Sequence, residues 1–239
     1  MHQEIIAIII FAMVLITIMS ERLHRTAAAL TGTVLLLLTG ILDVNKAVSY
    51  VDFNTIGVLV GMMIFVAVIK HSGLFEYISI KAAKMAKGDP WKIMVAFMLI
   101  TAICSAFLDN VTTVLLMGPM TITIAKMMKI DPIPILLGQI VASNIGGTMT
   151  MIGDPPNIMI GSAADFAFID FIRNTGLACV FGLIVVITGM KFVYKKKLVA
   201  DEKAIADIMK LDENKAIADK RLMKISIFMI FMVVIAFMV

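Results

Sequence analysis

Residues 105–116 read SAFLDNVTTVLL, and the polar run at 109–113 interrupts an apolar region that extends over 91–128. This region is too long for one membrane-crossing helix, which needs about 20 apolar residues. Residues 142–157 read ASNIGGTMTMIGDPPN and interrupt a second apolar region. Each interruption carries an aspartate. The two stretches therefore predict a helical hairpin followed by a broken helix.

The composition around these stretches is that of a membrane protein. Of the 239 residues, 61% are hydrophobic and 16% are charged, and the mean hydropathy is +1.01. Soluble domains are roughly 45–50% apolar and about 25% charged. A soluble enzyme and a disordered chain are therefore excluded, and we expect an all-α polytopic membrane protein. Cys104 and Cys179 lie in apolar runs and indicate small buried residues rather than a metal site.

The apolar runs predict an order of segments along the chain. Lysines alternate with apolar residues at helical spacing in 74–87, which predicts an amphipathic helix in the membrane interface. Polar residues between 165 and 174 predict an external loop. The predicted parts are N-terminal scaffold helices at 1–73, the interfacial helix at 74–90, the transport part with hairpin and broken helix at 91–176, a membrane helix at 177–197, a cytoplasmic linker at 198–224 and the start of another membrane helix at 225–239.

The basic residues predict the orientation of the chain, because cytoplasmic loops carry an excess of Lys and Arg. With the N-terminus outside, 19 of the 21 Lys and Arg lie on the cytoplasmic side, and only Lys46 and Arg173 lie outside. We therefore expect a multi-pass protein of the cell membrane with an external N-terminus. The count is the same whether 91–128 forms a re-entrant hairpin or two crossings. Basic clusters between apolar runs also argue against a nucleic-acid partner.

The interruptions contain residues that begin helices. Good N-cap residues precede the second arm of the hairpin, and Asp154 precedes two prolines that suit a first helical turn. Helix N-termini inside a membrane attract anions. Irregular backbone at that depth persists only where it is buried in protein or lines a cavity, and an aspartate there indicates a functional site. A single Asn or Thr could equally serve helix packing alone.

The other ends of the broken helices suggest a cation site. We expect the half-helices to end near Leu108 and Ser143, where free backbone carbonyls would suit Na⁺. Gly146 and Gly147 would permit unwinding and close backbone approach.

Both stretches resemble signatures of a known group of transporters. SAFLDNVTTVLL is similar to the hairpin signature of the ion transporter superfamily, and ASNIGGTMTMIGDPPN is similar to its broken-helix signature. This group includes ArsB/NhaD permeases, citrate carriers and the P protein, and the P-protein-like and citrate-transporter-like branches fit best. The resemblance implies an elevator-type fold of two inverted repeats, in which this chain supplies one repeat, the N-terminal half. It also implies a homodimer or a missing C-terminal half as partner.

The resemblance carries the family's binding residues onto this chain. The implied ion and substrate site comprises Asp109, Asn110, Thr112, Thr113, Ser143, Asn144, Gly147 and Thr148, supported by Asp154 and Asn157. Within this set, Na⁺ would lie at Asn110, Ser143, Asn144 and Gly147. No cofactor is implied beyond a coupling ion, Na⁺ or H⁺. The other partners would be the lipid bilayer and a small inorganic ion or small anion.

The function implied is secondary active ion transport without enzyme activity. Dicarboxylate carriers of the superfamily have Ser-Asn-Thr at the tip, whereas this chain has Asp109-Asn110-Val111-Thr112, which favours a proton- or cation-coupled role for Asp109. Alternatives are arsenite or oxyanion efflux, a citrate-like anion carrier, and an inactive half-transporter or membrane scaffold. An intramembrane aspartyl protease is disfavoured, because Leu108 and Met151 replace the tyrosine and glycine that its motifs require.

Overall fold

The computed structural model describes residues 2–238, and all regular structure in that range is helical. The prediction of an all-α polytopic membrane protein is therefore confirmed. The elements are α1 His2–Met19, α2 Arg25–Leu38, α3 Val44–Ser49, α4 Phe53–Lys70, α5 Leu74–Met85, α6 Pro90–Phe107, α7 Asn110–Met127, α8 Ile133–Thr148, α9 Pro155–Ala164, α10 Phe168–Tyr194, α11 Glu202–Met209, a 3₁₀ turn Glu213–Ala216 and α12 Lys220–Met238.

The chain divides into two compact units, one up to Phe53 and one from Asn54 onward. In the first unit, α1 packs against α2. A Cβ at Gly32 would collide with the Val14 side chain, so a glycine is needed where these two helices meet. Ile10 and Ala28 are buried in the same unit.

Among the described residues, α4, α6 and α10 are long and apolar enough to cross a membrane. In the most apolar 18 residues of each helix, half of the α6 residues are buried inside the chain, whereas 22% are buried in α4 and 6% in α10. α6 is therefore a core helix, whereas α4 and α10 leave most of their apolar surface uncovered by the chain itself.

The core of the second unit is built on α6, α7 and α8. Ile93, Met94, Phe97 and Met98 of α6 are fully buried, and α6 packs most extensively against α8. A Cβ at Gly138 would lie 2.9 Å from the Met98 sulfur, so the small residue allows the two helices to approach closely.

A buried polar network crosses this apolar core. The Thr121 hydroxyl donates to Gln139 Oε1 at 2.8 Å, and Gln139 Nε2 donates to Thr101 Oγ1 at 3.2 Å. All three side chains are fully buried. Because unpaired polar groups are costly in an apolar interior, these hydrogen bonds fix the register of α6, α7 and α8.

The amphipathic helix α5 forms as predicted, but its surroundings differ from the spacing-based expectation. Leu74, Phe75 and Ala83 are buried, whereas Met85, which the spacing places on the apolar face, is 76% exposed. Glycines with left-handed backbone, Gly73 (φ +78°) and Gly88 (φ +69°), flank the helix. Much of the remaining surface of α5 is covered by a later part of the chain.

That covering part is residues 198–219, which we name the docking segment. It is part of the segment that the sequence predicts to be a cytoplasmic linker, and it packs against the helices, because Leu198, Ala204 and Ile208 are buried. α11 contacts α5 and α7, and the 3₁₀ turn contacts α5. The backbone N–H of Ala218 donates to the Ser72 carbonyl at 3.2 Å, which ties the end of the segment to the start of α5.

A side-chain contact holds the middle of the docking segment. Lys84 Nζ lies 2.5 Å from Glu213 Oε2 and 3.1 Å from the Leu211 carbonyl. Both ion-pair partners are largely shielded, with side-chain exposures of 28% and 24%. The contact joins α5 to the 3₁₀ turn.

The helix α10 begins at Phe168, earlier than residue 177, where the sequence predicts its start. The expected external loop at 165–174 is only partly a loop, because helix starts at Phe168. Asp170 Oδ2 accepts from the Ala167 N–H at 2.9 Å and caps the first turn. A helix of 27 residues spans about 40 Å, more than the roughly 30 Å hydrocarbon core, so its polar first turns can lie in the headgroup region.

Candidate functional site

The hairpin tip is a two-residue break between α6 and α7. Leu108 and Asp109 are extended, and α7 begins at Asn110. Asp109 Oδ1 accepts from the Thr112 N–H at 2.9 Å, which confirms the predicted N-cap. Leu108 is only 3% exposed, so it anchors the tip in the core while the polar residues follow it.

The second break separates α8 from α9 and covers residues 149–154. Pro155 opens α9, as the proline pattern predicts. Asp154 lies at the N-cap position with extended backbone, but its side chain makes no cap hydrogen bond. Its carboxylate is therefore not used to start the helix.

Side-chain hydrogen bonds join the helices beside the hairpin tip to α8. Asn110 Nδ2 donates to Asn144 Oδ1 at 2.9 Å, which joins the tip to α8. The Ser105 hydroxyl donates to the Ser143 carbonyl at 2.7 Å. These bonds bring together Asn110, Ser143 and Asn144, three residues that the resemblance assigns to one site.

Thr150, in the second break, joins that break to the end of α6. The Thr150 hydroxyl donates to the Ala106 carbonyl, and the Gly153 N–H donates to Thr150 Oγ1 at 3.2 Å. Gly147 lies against both Gly153 and Asn110, the chain neighbours of Asp154 and Asp109. The two predicted aspartates therefore belong to the same region.

Glycines let the backbones approach at this junction. A Cβ at Gly146 would collide with the Ala102 carbonyl, and one at Gly147 would lie 2.8 Å from the Gly153 carbonyl oxygen. The predicted close approach is confirmed. The predicted unwinding is wrong, because α8 continues through both glycines to Thr148.

The carbonyl end of α8 is not free, contrary to the sequence-based expectation. Ser143 lies inside the helix rather than near its end. Beyond it, Asn157 Nδ2 donates to the carbonyls of Gly147 (3.2 Å) and Thr150 (2.9 Å). The Thr175 hydroxyl lies 3.0 Å from the Thr148 carbonyl oxygen. Side chains thus donate hydrogen bonds to the backbone carbonyls that were expected to be available to Na⁺.

An open groove of about 210 Å³ lies beside the Asn110–Asn144 bond. Its lining combines polar residues of the candidate site with apolar residues of α7 and α8, namely Asn110, Val111, Val114, Leu115, Ile140, Ser143 and Asn144. Three of the four residues proposed for Na⁺ line it. Gly147, the fourth, lies outside the lining with its carbonyl bound to Asn157.

Thr113 and Thr148, two residues of the implied ion and substrate site, do not line this groove. Thr113 is fully buried, and its hydroxyl has no hydrogen-bond partner. Thr148 is exposed, and its hydroxyl donates to the Asn144 carbonyl at 2.8 Å. Over residues 2–238, no cluster of three His, Cys, Asp or Glu side chains is suited to a transition metal.

Sequence reasoning missed three residues at the junction. Ser105 and Thr150 lie within the two motif stretches. The Thr150 hydroxyl binds the carbonyl of Ala106 at the end of α6, a contact that the unpaired carbonyls of a helix end call for, whereas Ser105 binds a carbonyl inside α8. Thr175 lies in the apolar helix α10 and has no local signal. Only the packing of α10 against α8 brings it to the break.

Comparison with known proteins agrees with this architecture. A family model described as that of a citrate transporter, CitMHS, matches residues 5–239. The chain belongs to this family. Membership confirms the resemblance to the ion transporter superfamily, including its citrate-transporter-like branch. The chain is thus a membrane protein of a transporter family.

Relatives of this citrate transporter family chain include proteins from bacteria and mammals. It is 37% identical to a 46 kDa membrane protein of Mycobacterium leprae and 38% identical to an uncharacterized transporter of Mycobacterium tuberculosis. Each match covers 92% of this chain and 52% of the relative. It is 42% identical to the human P protein over 67% of this chain and 20% of that protein. The chain spans about half the length of the mycobacterial relatives.

Proposed function

We propose that this chain forms one half of a secondary active transporter that couples Na⁺ or H⁺ to the movement of a small ion. The observation that carries the proposal is the hydrogen bond of 2.9 Å between Asn110 and Asn144. It joins the hairpin tip to the broken helix, and each of these elements has an aspartate at its break. Discontinuous helices of this kind build ion sites in secondary transporters.

The two aspartates differ in how they are used. Asp109 commits Oδ1 to the cap of α7, which leaves Oδ2 for a ligand. Asp154 makes no cap bond to α9. Carboxylates at two neighbouring breaks repel each other, and a bound cation or proton relieves that repulsion. Asp109 is the residue that we propose to carry the coupling ion, with Asp154 beside it.

The transported species in this proposal is a small anion or inorganic ion. The N-termini of α7 and α9 both lie at the breaks, where their partial positive charge favours a carboxylate or an oxyanion. The family description supports a citrate-like substrate. A second half, or a second copy of this chain, would complete the site in the cell membrane, with the N-terminus of this chain outside.

The test is ion flux in proteoliposomes that contain the purified chain, alone and together with a C-terminal half from a full-length relative. A pH or Na⁺ gradient is imposed, and an internal pH dye reports flux before and after addition of citrate or arsenite. We expect Asp109→Asn to abolish pH-dependent flux. Asparagine caps a helix as well as aspartate does, so the substitution removes charge and preserves the fold.

Asp89→Asn is the matched control. Asp89 caps α6 by accepting from the Lys92 N–H at 3.1 Å, but it lies at the opposite end of that helix from the tip. Flux should survive this change. Unchanged flux and pH profile in Asp109→Asn would remove Asp109 from the coupling role. Absence of flux with a C-terminal half present would favour a non-transporting scaffold.

A further inference from the structure

Thr175 in α10 lies against the second break, outside both sequence motifs. Its hydroxyl oxygen lies 2.7 Å from the Phe171 carbonyl of its own helix, 3.0 Å from the Thr148 carbonyl and 3.4 Å from the Met149 carbonyl. Thr148 is the last residue of α8 and Met149 the first of the break. One side chain therefore faces three acceptors, one each in α8, in the break and in α10.

A hydroxyl has one proton, so it can fully satisfy only one of these carbonyls at a time. The bond to Phe171 is the ordinary backbone contact of a threonine inside a helix. The bond to Thr148 instead satisfies a helix-end carbonyl that has no partner within α8. The proton of Thr175 can therefore serve α10 alone or join α10 to the end of α8.

The contact with Thr148 continues to the hairpin tip. The Thr148 hydroxyl donates to the Asn144 carbonyl at 2.8 Å, and the Asn144 side chain accepts from Asn110 at 2.9 Å. Thr175 and Asn110 are therefore bonded to the same final stretch of α8, at Thr148 and Asn144. The groove beside Asn144 and the carbonyl end of α8 thus lie on one short length of helix.

We propose that Thr175 is a positioning residue, which fixes the carbonyl end of α8 and thereby the ion site between the hairpin tip and the broken helix. The proposal rests on the proposed function for the identity of the bound ion. It does not require Thr175 to touch that ion. When the O–H of Thr175 turns from the Thr148 carbonyl to the Phe171 carbonyl, the break loses this hydrogen bond, which gives the site a tight and a loose arrangement.

The test compares Thr175→Val, which keeps the shape and removes the hydroxyl, with Thr175→Ser, which keeps the hydroxyl. The matched control is Thr188→Val in the same helix. The Thr188 hydroxyl bonds only the Ile184 carbonyl, at 2.7 Å, and reaches no other helix. Two measurements are made on each variant: hydrogen exchange of backbone amides at 149–154, and the Na⁺ or H⁺ dependence of flux with the complementary half present.

Thr175→Val should speed hydrogen exchange at 149–154. It should also raise the half-saturating ion concentration about five- to tenfold, because one hydrogen bond is lost. The maximal rate should change less. Thr175→Ser should restore both values, and Thr188→Val should change neither. Exchange and half-saturation equal to those of the unmodified chain in Thr175→Val would overturn the proposal. So would faster exchange with unchanged half-saturation. If Thr175→Val does not fold, Thr175→Ala takes its place. The proposal is supported if Thr175→Ala changes exchange and half-saturation while Thr175→Ser keeps the values of the unmodified chain. It is overturned if neither variant changes them.

Failure of this proposal differs from failure of the proposed function. Hydrogen exchange reports on the break whether or not ions move. The chain could show no flux while exchange at 149–154 still depends on the Thr175 hydroxyl. That result would contradict both the transport function and the positioning of an ion site. It would still show that Thr175 stabilises the break. Flux that is normal in every variant would leave the transport function standing and remove Thr175 from it.

Discussion

Gly146 of α8 lies directly against the backbone of α6. A Cβ there would overlap the Ala102 carbonyl, which belongs to helix backbone and cannot rotate away. The two core helices would have to separate, and overpacking of this kind costs about 1–3 kcal/mol or more. We therefore expect Gly146→Ala to lower the thermal unfolding temperature in detergent and to reduce the folded yield.

Gly189→Ala provides the comparison at the same scale. Gly189 also lies within a helix, α10, but nothing approaches its Cβ position within 4 Å. Alanine is favoured over glycine in a helix by about 1 kcal/mol, so this variant should unfold at the same or a higher temperature. Equal unfolding temperatures for the two variants would show that the α6–α8 contact is looser than described.

Residue chemistry also explains which parts of the site could be foreseen. Asp109 and Pro155 act within their own first turns, so their roles follow from local sequence. Ser143 and Asn144 were expected at a helix end because serine, asparagine and paired glycines favour breaks. They remain helical because Ser105, Asn110 and Asn157 bind the backbone and side chains around them. Those partners are distant in sequence and carry no local signal.

At the scale of elements, the docking segment on α5 depends on pH through one ion pair. The hydrogen bond from Lys84 holds the pKa of Glu213 below its ordinary value of 4.5. Since the pKa is lower in the folded state, the pair stabilises the docked segment above pH 4.5. That contribution is lost as the pH falls through the lowered pKa. We expect limited proteolysis of the docking segment to accelerate below about pH 4.5.

Variants separate the effect of this pair from that of the other carboxylates in the docking segment. Glu213→Gln should be cleaved faster at neutral pH and should show a weaker acceleration in acid. Asp207→Asn is the control, because Asp207 pairs at 3.5 Å only with Lys210 of the same helix, and both side chains are exposed. Identical acid profiles for Glu213→Gln and the unmodified chain would contradict the role of the pair.

The elements themselves were predictable to different degrees. Apolar runs bounded by charges predict α4 and α6, because length and composition decide membrane helices. For the docking segment, the charged composition predicts only a cytoplasmic linker and does not indicate what it packs against. Ile208 is buried only because α5 and α7 supply its contacts, and composition cannot report a contact across such a distance.

At the scale of the whole molecule, orientation in the membrane is set by the distribution of Lys and Arg, and the external N-terminus stays a prediction. Single cysteines in a background without Cys104 and Cys179 test it. Asp165→Cys, before α10, should react with a membrane-impermeant maleimide in intact cells. Lys129→Cys, after α7, should react only after permeabilisation. The reverse pattern would invert the topology.

A third position in the same background addresses the hairpin. Val111 lies at the tip and is 63% exposed. If 91–128 crosses the membrane twice, Val111→Cys should react from outside as readily as Asp165→Cys. If the hairpin is re-entrant, as we predict, Val111→Cys should react much more slowly than either loop position, because the tip ends within the bilayer.

The cover over α5 has a consequence for the biogenesis of the chain. Gly73 and Gly88 are each closely approached by the docking segment, at Ala216 and Ile205. The segment is synthesised long after α5, since Glu213 follows Lys84 by 129 residues. At roughly 5–20 residues per second, this delay is on the order of ten seconds. Nascent α5 therefore lacks these contacts at both glycines while the hairpin and the broken helix are synthesised, and it gains them only afterwards.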